Sequence, residues 1–325
     1  MAPVQPAEAT PAEPKPAAEP KPVVEAKPAP EPKPDKAKPV PEPKPAKSQR
    51  SNPVAAAEPS GQRPAPVHKP VAPPVPRVPV GGAVATVTEL TKVFGTAEGQ
   101  VDALRGVDLT IGQGRWTAIM GRSGSGKTAL LQCMSGLEAP TSGSVEVGGQ
   151  VVSAMTQRQR SEFRRQAVGL VFQSCNLLPA LTAAENIRLP LFIAKATEDP
   201  DWFDQIVTAF DLSETLTRKP SELSNGQQQR VACARALILK PSIVFADEPT
   251  GSLENESESQ LLSMLRQCVD RFGQTVVVAT HDVDVAVQAD VVYVLQDGLV
   301  TQQVTTPSAD RLMGLLRAVP GGGSL

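Results

Sequence analysis

Apolar positions in this chain fall into short, nearly uninterrupted runs. Trp116 to Met120, Ile243 to Ala246, Val276 to Ala279 and Val291 to Leu295 are the clearest. Runs this short and this continuous read as strands with both faces buried. Val168 to Phe172 predicts another short buried strand, and Thr86 to Leu90 and Val107 to Ile111 also read as strands. Ser144 to Val152 predicts a hairpin turning on Gly148 and Gly149. Between these runs the spacing turns helical, over Ser257 to Arg271 and mainly from Leu181 to about Leu239, where Pro190, Pro200 and Pro220 serve as punctuation. Buried strands separated by helices imply an α/β sheet covered on both faces, interrupted by a helical insert.

The first 80 residues break this pattern. They hold 24 of the 33 prolines and no Phe, Trp or Tyr, and Glu-Pro-Lys-Pro recurs at positions 13, 19, 31 and 42. Such a segment cannot bury enough apolar surface to offset its ordering entropy. A disordered, Pro-rich tail is therefore expected over 1–82, either simply solvated or serving as a docking tether. The ordered domain is expected over 83–302. Residues 303–325 are expected to be a short tail, amphipathic around Leu312 to Leu316 and Gly-rich at its end.

Composition narrows the class further. With 325 residues, a formal charge of −2 and 40% hydrophobic residues, there is material for one or two domains, and no nucleic-acid partner is expected. No apolar run approaches the roughly 18 residues of a membrane span. The start, Met1 to Pro6, has neither a basic region nor an apolar core, so no secretory signal is expected and a cytoplasmic location follows. Cys133, Cys175, Cys233 and Cys268 are far apart, which argues against a metal site or a disulfide framework.

Three motifs carry chemistry. Gly121-Arg122-Ser123-Gly124-Ser125-Gly126-Lys127-Thr128 follows a strand and opens into the helical Ala129 to Met134, which satisfies the phosphate-loop pattern. Its glycines permit a backbone path that aims N–H groups at one point, and the following helix turns its positive end there. A phosphate chain fits that point, with Lys127 expected on its β and γ phosphates and the Thr128 hydroxyl on Mg²⁺. The second motif is the strand Ile243 to Ala246 ending in Asp247 and Glu248. Asp247 suits magnesium, opposite Thr128, and Glu248 suits a base that polarises the attacking water. The third is Leu223-Ser224-Asn225-Gly226-Gln227-Gln228-Gln229-Arg230, leading into a helix that Ser224 and Asn225 would cap. Taken alone, it is simply a well-capped helix.

This third stretch resembles the signature of the ATP-binding cassette (ABC) ATPases, and the motifs stand in that family's order over about residues 84–302. The resemblance implies a P-loop NTPase of the ABC ATPase fold, with a RecA-like core, an antiparallel β subdomain and a helical subdomain at about 177–238. It implies a head-to-tail homodimer in which Ser224, Asn225, Gly226 and Gln227 of one subunit close over nucleotide held by the other. Gln173 matches the glutamine that senses γ phosphate and Mg²⁺ and links the site to a membrane permease. His281 matches the switch histidine on the γ phosphate, and Gly251 to Glu254 the loop that couples the two sites. Phe94 matches the aromatic ring against adenine. The sequence departs from the family at four places: Asn225 replaces a glycine, Glu254 an aspartate, Ala129 a hydroxyl residue and Phe94 a tyrosine. Asn accepts turn and left-handed geometry, so closure of the dimer is expected to survive this change.

Asn176 to Leu191 resembles the MacB/LolD/FtsE-like branch of macrolide and peptide efflux, lipoprotein-release and cell-division ATPases. That implies a mechanically driven permease seated just after Gln173, with Leu177, Leu178 and Leu181 as its socket, and a peripheral place on the inner face of the cell membrane. The competing readings are a soluble ABC ATPase acting on ribosomes or DNA, and a weakly hydrolytic ATP-gated clamp motivated by Asn225 and Glu254.

Overall fold

The computed structural model describes residues 82–95 and 99–317; the Pro-rich tail, apart from Gly82, and the Gly-rich end lie outside the described residues. In chain order the elements are β1 (Ala83–Phe94), β2 (Val101–Gly112), β3 (Trp116–Met120), α1 (Lys127–Met134), β4 (Ser142–Val147), β5 (Gln150–Val151), α2 (Gln157–Ala167), β6 (Val168–Phe172) and α3 (Ala183–Ala194). They continue as α4 (Pro200–Ala209), α5 (Asn225–Leu237), β7 (Ile243–Asp247), α6 (Asn255–Phe272), β8 (Val276–Thr280), α7 (Val283–Ala286), β9 (Val291–Gln296), β10 (Leu299–Thr305) and α8 (Ala309–Arg317).

The strands form a six-stranded sheet in the order β10-β9-β3-β8-β7-β6 and a four-stranded sheet in the order β2-β1-β4-β5. In the larger sheet β3 runs parallel to β8 and β9, β7 runs parallel to β6 and β8, and only β10 is antiparallel. Strand alternation explains why these runs have no polar face. Val244, Ala246, Val276 and Val278 pack to one side with the helices α5 and α6, while Ile243, Phe245, Val277 and Ala279 pack to the other with α1 and the smaller sheet. Burying each large apolar side chain is worth about 1.5–3 kcal/mol.

Several elements differ from the sequence expectation. Pro190 does not end a helix; it lies inside α3, where it would ordinarily cost about 3 kcal/mol. The buried Ile187 and Leu191 flank it and hold α3 to the core, and fully buried Asn186 donates to the carbonyls of Leu178, Leu181 and Thr182. Val168 to Phe172 is only half-buried, because β6 is the edge strand of its sheet. Both β1 and β2 are far longer than their apolar cores, and register shifts along the pair interrupt the alternation that would reveal them. The C-terminal piece is not a plain tail: β10 runs on to Thr305, and α8 seats fully buried Leu312 in the core.

Candidate functional site

The loop between β3 and α1 depends on having no Cβ at two places. A Cβ on Gly121 would fall 2.3 Å from the Leu295 carbonyl oxygen, and one on Gly126, at φ +103, would fall 2.4 Å from that of Ala103. Lys127 is 7% exposed, and its Nζ donates to the carbonyls of Gly121 (2.9 Å) and Arg122 (3.2 Å). The amine therefore sits inside the loop. Gly121, Arg122, Ser123, Gly124, Gly126, Lys127, Thr128 and Ala129 line a cleft of about 760 Å³. Ser125 lies beneath it, its hydroxyl buried without a partner.

The two acids at the end of β7 diverge, Asp247 as the last residue of the strand and Glu248 just beyond it with a left-handed backbone. Glu248 lines the cleft, with Oε1 3.5 Å from Lys127 Nζ, and both its carboxylate oxygens lie 3.0 Å from His281 Nδ1. An ionised carboxylate only accepts, so Nδ1 carries the proton. The backbone of Glu248 is left-handed at φ 46, and its N–H donates to the Ala279 carbonyl at 2.9 Å. Such a conformation costs about 1–3 kcal/mol and is found where the surroundings fix a functional side chain. Asp247 lies deeper. Burial pushes its carboxyl above the usual carboxylate range; the facing Thr128 hydroxyl opposes this, the Glu248 charge adds to it and Lys127 opposes it. Its Oδ1 is buried without a hydrogen-bond partner.

Other expected residues gather on the same cleft. Gln173 packs so closely on Gly251 that a Cβ there would fall 2.9 Å from its Nε2. Phe94 closes one end, with Lys92 Nζ 4.6 Å from its ring centroid. Sequence reasoning missed Ala103, Gln132 and Leu316, which also line it. Leu316 reaches the cleft because Arg122 Nη2 donates to its carbonyl at 3.1 Å, and the amphipathic spacing around Leu312 was the one available hint.

Ser224, Asn225, Gly226 and Gln227 do not line this cleft. Ser224 alone is the N-cap of α5: its Oγ accepts from Gln227 N–H at 3.2 Å, and Gln227 Oε1 accepts from Ser224 N–H at 3.0 Å. Asn225 is the first helical residue, not a cap and not left-handed, so its backbone has the ordinary helical geometry that any L-residue adopts. Gly226 is different, since a Cβ there would lie 3.0 Å from Ser257 Oγ. Ser224→Ala is expected to cost about 1 kcal/mol. Thermal unfolding should register that as a Tm lowered by ~2–4 °C.

A family model described as "ABC transporter" matches residues 104–251. The bacitracin export ATP-binding protein BceA of Halalkalibacterium halodurans is 38% identical over 224 residues, spanning 68% of this chain and 88% of that protein. The chain belongs to the ABC transporter ATP-binding family. The lipoprotein-releasing system ATP-binding protein LolD of Geobacter metallireducens is 42% identical over 198 residues, 60% of this chain and 88% of its own length, which places this ABC ATPase in the MacB/LolD-like branch. Among solved structures, a dimeric ATP-binding cassette in a post-hydrolysis state bound to ADP and Pi matches with a TM-score of 0.63 and 34% identity, over 69% of this chain and 99% of that one. This protein is an ATP-hydrolysing subunit of an ABC transporter.

The ABC ATPase's own residues fit magnesium ATP. The glycine loop lines the cleft with the Lys127 amine held inside it, and the orphaned Asp247 Oδ1 offers an oxygen beside the Thr128 hydroxyl. Among the described residues no group of three or more His, Cys, Asp or Glu could hold a metal alone.

Proposed function

We propose that this ABC ATPase works as a head-to-tail homodimer on a membrane permease, closing on ATP and opening after hydrolysis. In this reading Lys127 neutralises the β and γ phosphates and the backbone of Gly121 to Gly126 cradles them. Phe94 stacks on adenine, and Ala129 lines the α-phosphate end. Thr128, Asp247 and Gln173 hold Mg²⁺, which when bound neutralises charge on the transferring phosphoryl group. Glu248 accepts a proton from the attacking water, and His281 orients that carboxylate and meets the γ phosphate. The observation that carries the dimer is the separation within one chain: Ser224 to Gln227 lie off the cleft that Lys127 and Glu248 line. A second copy would bring the Ser224 helix end, with its hydroxyl and free N–H groups, to the phosphates.

The permease seat follows Gln173, where Leu178 is exposed. No helix among the described residues is long and apolar enough to cross a membrane. In the proposed complex the permease holds this subunit at the cytoplasmic face. The names of the relatives, bacitracin export and lipoprotein release, favour a lipophilic or peptide-like cargo moved outward. Light scattering on Glu248→Gln protein tests the core of this: magnesium ATP is expected to double the mass, and EDTA to reverse it. A mass unchanged by magnesium ATP, with nucleotide bound, would sink the dimer.

A further inference from the structure

The turn that follows Gln173 makes bonds of its own, from Cys175 N–H to the Phe172 carbonyl (3.1 Å), from Asn176 N–H to the Ser174 carbonyl and from Ser174 Oγ to Asn176 Oδ1 (2.9 Å), but the path they close is strained. Cys175 (φ 56) and Asn176 (φ 48) are consecutive non-glycine residues with left-handed backbone, which Asn adopts readily and Cys only at a cost. Further bonds to the turn come from one helix, 54 or more residues away in sequence. The Arg235 guanidinium donates through Nη2 to the Cys175 carbonyl (2.6 Å) and through Nη1 to the Asn176 carbonyl (2.7 Å). Fully buried Gln229 donates through Nε2 to the Phe172 carbonyl (3.2 Å), and its Oε1 accepts from the Cys175 thiol.

Among the described residues Arg235 makes no ion pair, so its fork is committed to this turn. A planar fork fixes two carbonyls at once, which an ammonium on a flexible stem cannot do. Both side chains belong to α5, the helix whose N-terminus is capped by Ser224. The last residue of β6, the turn and the signature helix are thus one hydrogen-bonded body, with Gln173 inside it.

We propose that Gln229 and Arg235 are positioning residues that clamp the turn after Gln173 to α5, so that a shift at Gln173 carries the Ser224 helix end with it. The inference rests on the roles proposed above for Gln173 and Ser224. It gives nucleotide sensing at one site a rigid route to the signature that serves the other. Neither residue lines the cleft, so nucleotide affinity does not depend on them directly.

Hydrogen exchange on the full chain, with and without Mg²⁺ and a non-hydrolysable ATP analogue, tests this alongside steady-state ATPase kinetics. The parent is expected to gain protection both at residues 173–178 and at residues 224–230. Arg235→Lys is expected to keep analogue affinity and the protection at 173–178, to lose the protection at 224–230, and to lower kcat by about five- to tenfold with little change in KM, the size of a modest coupling between sites. Gln229→Met, which removes both of that residue's bonds, is expected to give the same split. Cys175→Ser keeps a donor to Gln229 and is expected to behave as the parent. Variants that retain both protections and full kcat would overturn the clamp while leaving the ATPase reading intact, as would variants in which affinity, Tm and kcat fall together. A parent protected at neither segment would overturn the roles of Gln173 and Ser224 themselves, and the clamp with them.

Discussion

Glu248→Gln is expected to lower ATP turnover by about 10²- to 10⁴-fold, the usual effect of losing a general base. The substitution keeps the shape of the side chain, so the left-handed turn at φ 46 and its bond to the Ala279 carbonyl should survive. The proton acceptor is lost, and with it the negative charge 3.5 Å from Lys127 Nζ. Lys127 keeps its two carbonyl partners in the loop, so the cradle has no reason to collapse. The change should therefore act on kcat and spare nucleotide binding, which identifies an interaction made in the transition state. His281 adds a check. Its Nδ1 proton bonds both carboxylate oxygens, and an amide offers only one acceptor, so the imidazole should become more mobile and its NMR signals should shift. Turnover within a few-fold of the parent would remove Glu248 from the chemistry.

The readable part of the sequence is the part with one dominant cause. The strands of the larger sheet show because Val244 and Phe245 face opposite cores and both must be apolar. The phosphate loop shows because Gly121 and Gly126 leave no alternative residue. Elements governed by mixed causes stayed hidden. Helix α2 buries only Phe163 and Ala167, so it has almost no apolar stripe, and its Thr156 and Gln159 capping box was the sole local sign. Strand β10 buries only Val304 and pairs through its backbone, which leaves no hydrophobic signature. Pro190 misled for the opposite reason, since a strong local rule yields there to the packing of Ile187 and Leu191. The bonds from Arg235 to Cys175 and Asn176 join positions that no local pattern connects, and so only the folded chain reveals them.

Asp247→Asn is expected to separate stability from activity in opposite directions. Burial raises the Asp247 pKa, so the folded chain binds that proton more tightly than the unfolded chain does. The ionised carboxylate then costs stability, with no cost below the unfolded pKa and the full cost above the raised folded pKa. At pH 7 the nucleotide-free protein bears that cost, and an asparagine, neutral at every pH, relieves it. Because the residue is only half-buried, solvent screening limits the gain to about 1 kcal/mol at most. Without nucleotide, a Tm higher by up to ~2–4 °C is the expected reading, with a flatter dependence on pH through the acidic range. Magnesium is expected to reverse the balance if Asp247 has the role proposed above, because an amide oxygen beside Thr128 would lack the charge that attracts the ion. Loss of such a partner typically weakens metal binding or activity by about 10- to 100-fold. The extra thermal stabilisation that Mg²⁺ adds to ATP should shrink accordingly, and turnover should fall by at least that factor. An asparagine variant that unfolds earlier without nucleotide, yet responds to Mg²⁺ as the parent does, would mean that the buried carboxylate serves the fold and not the ion.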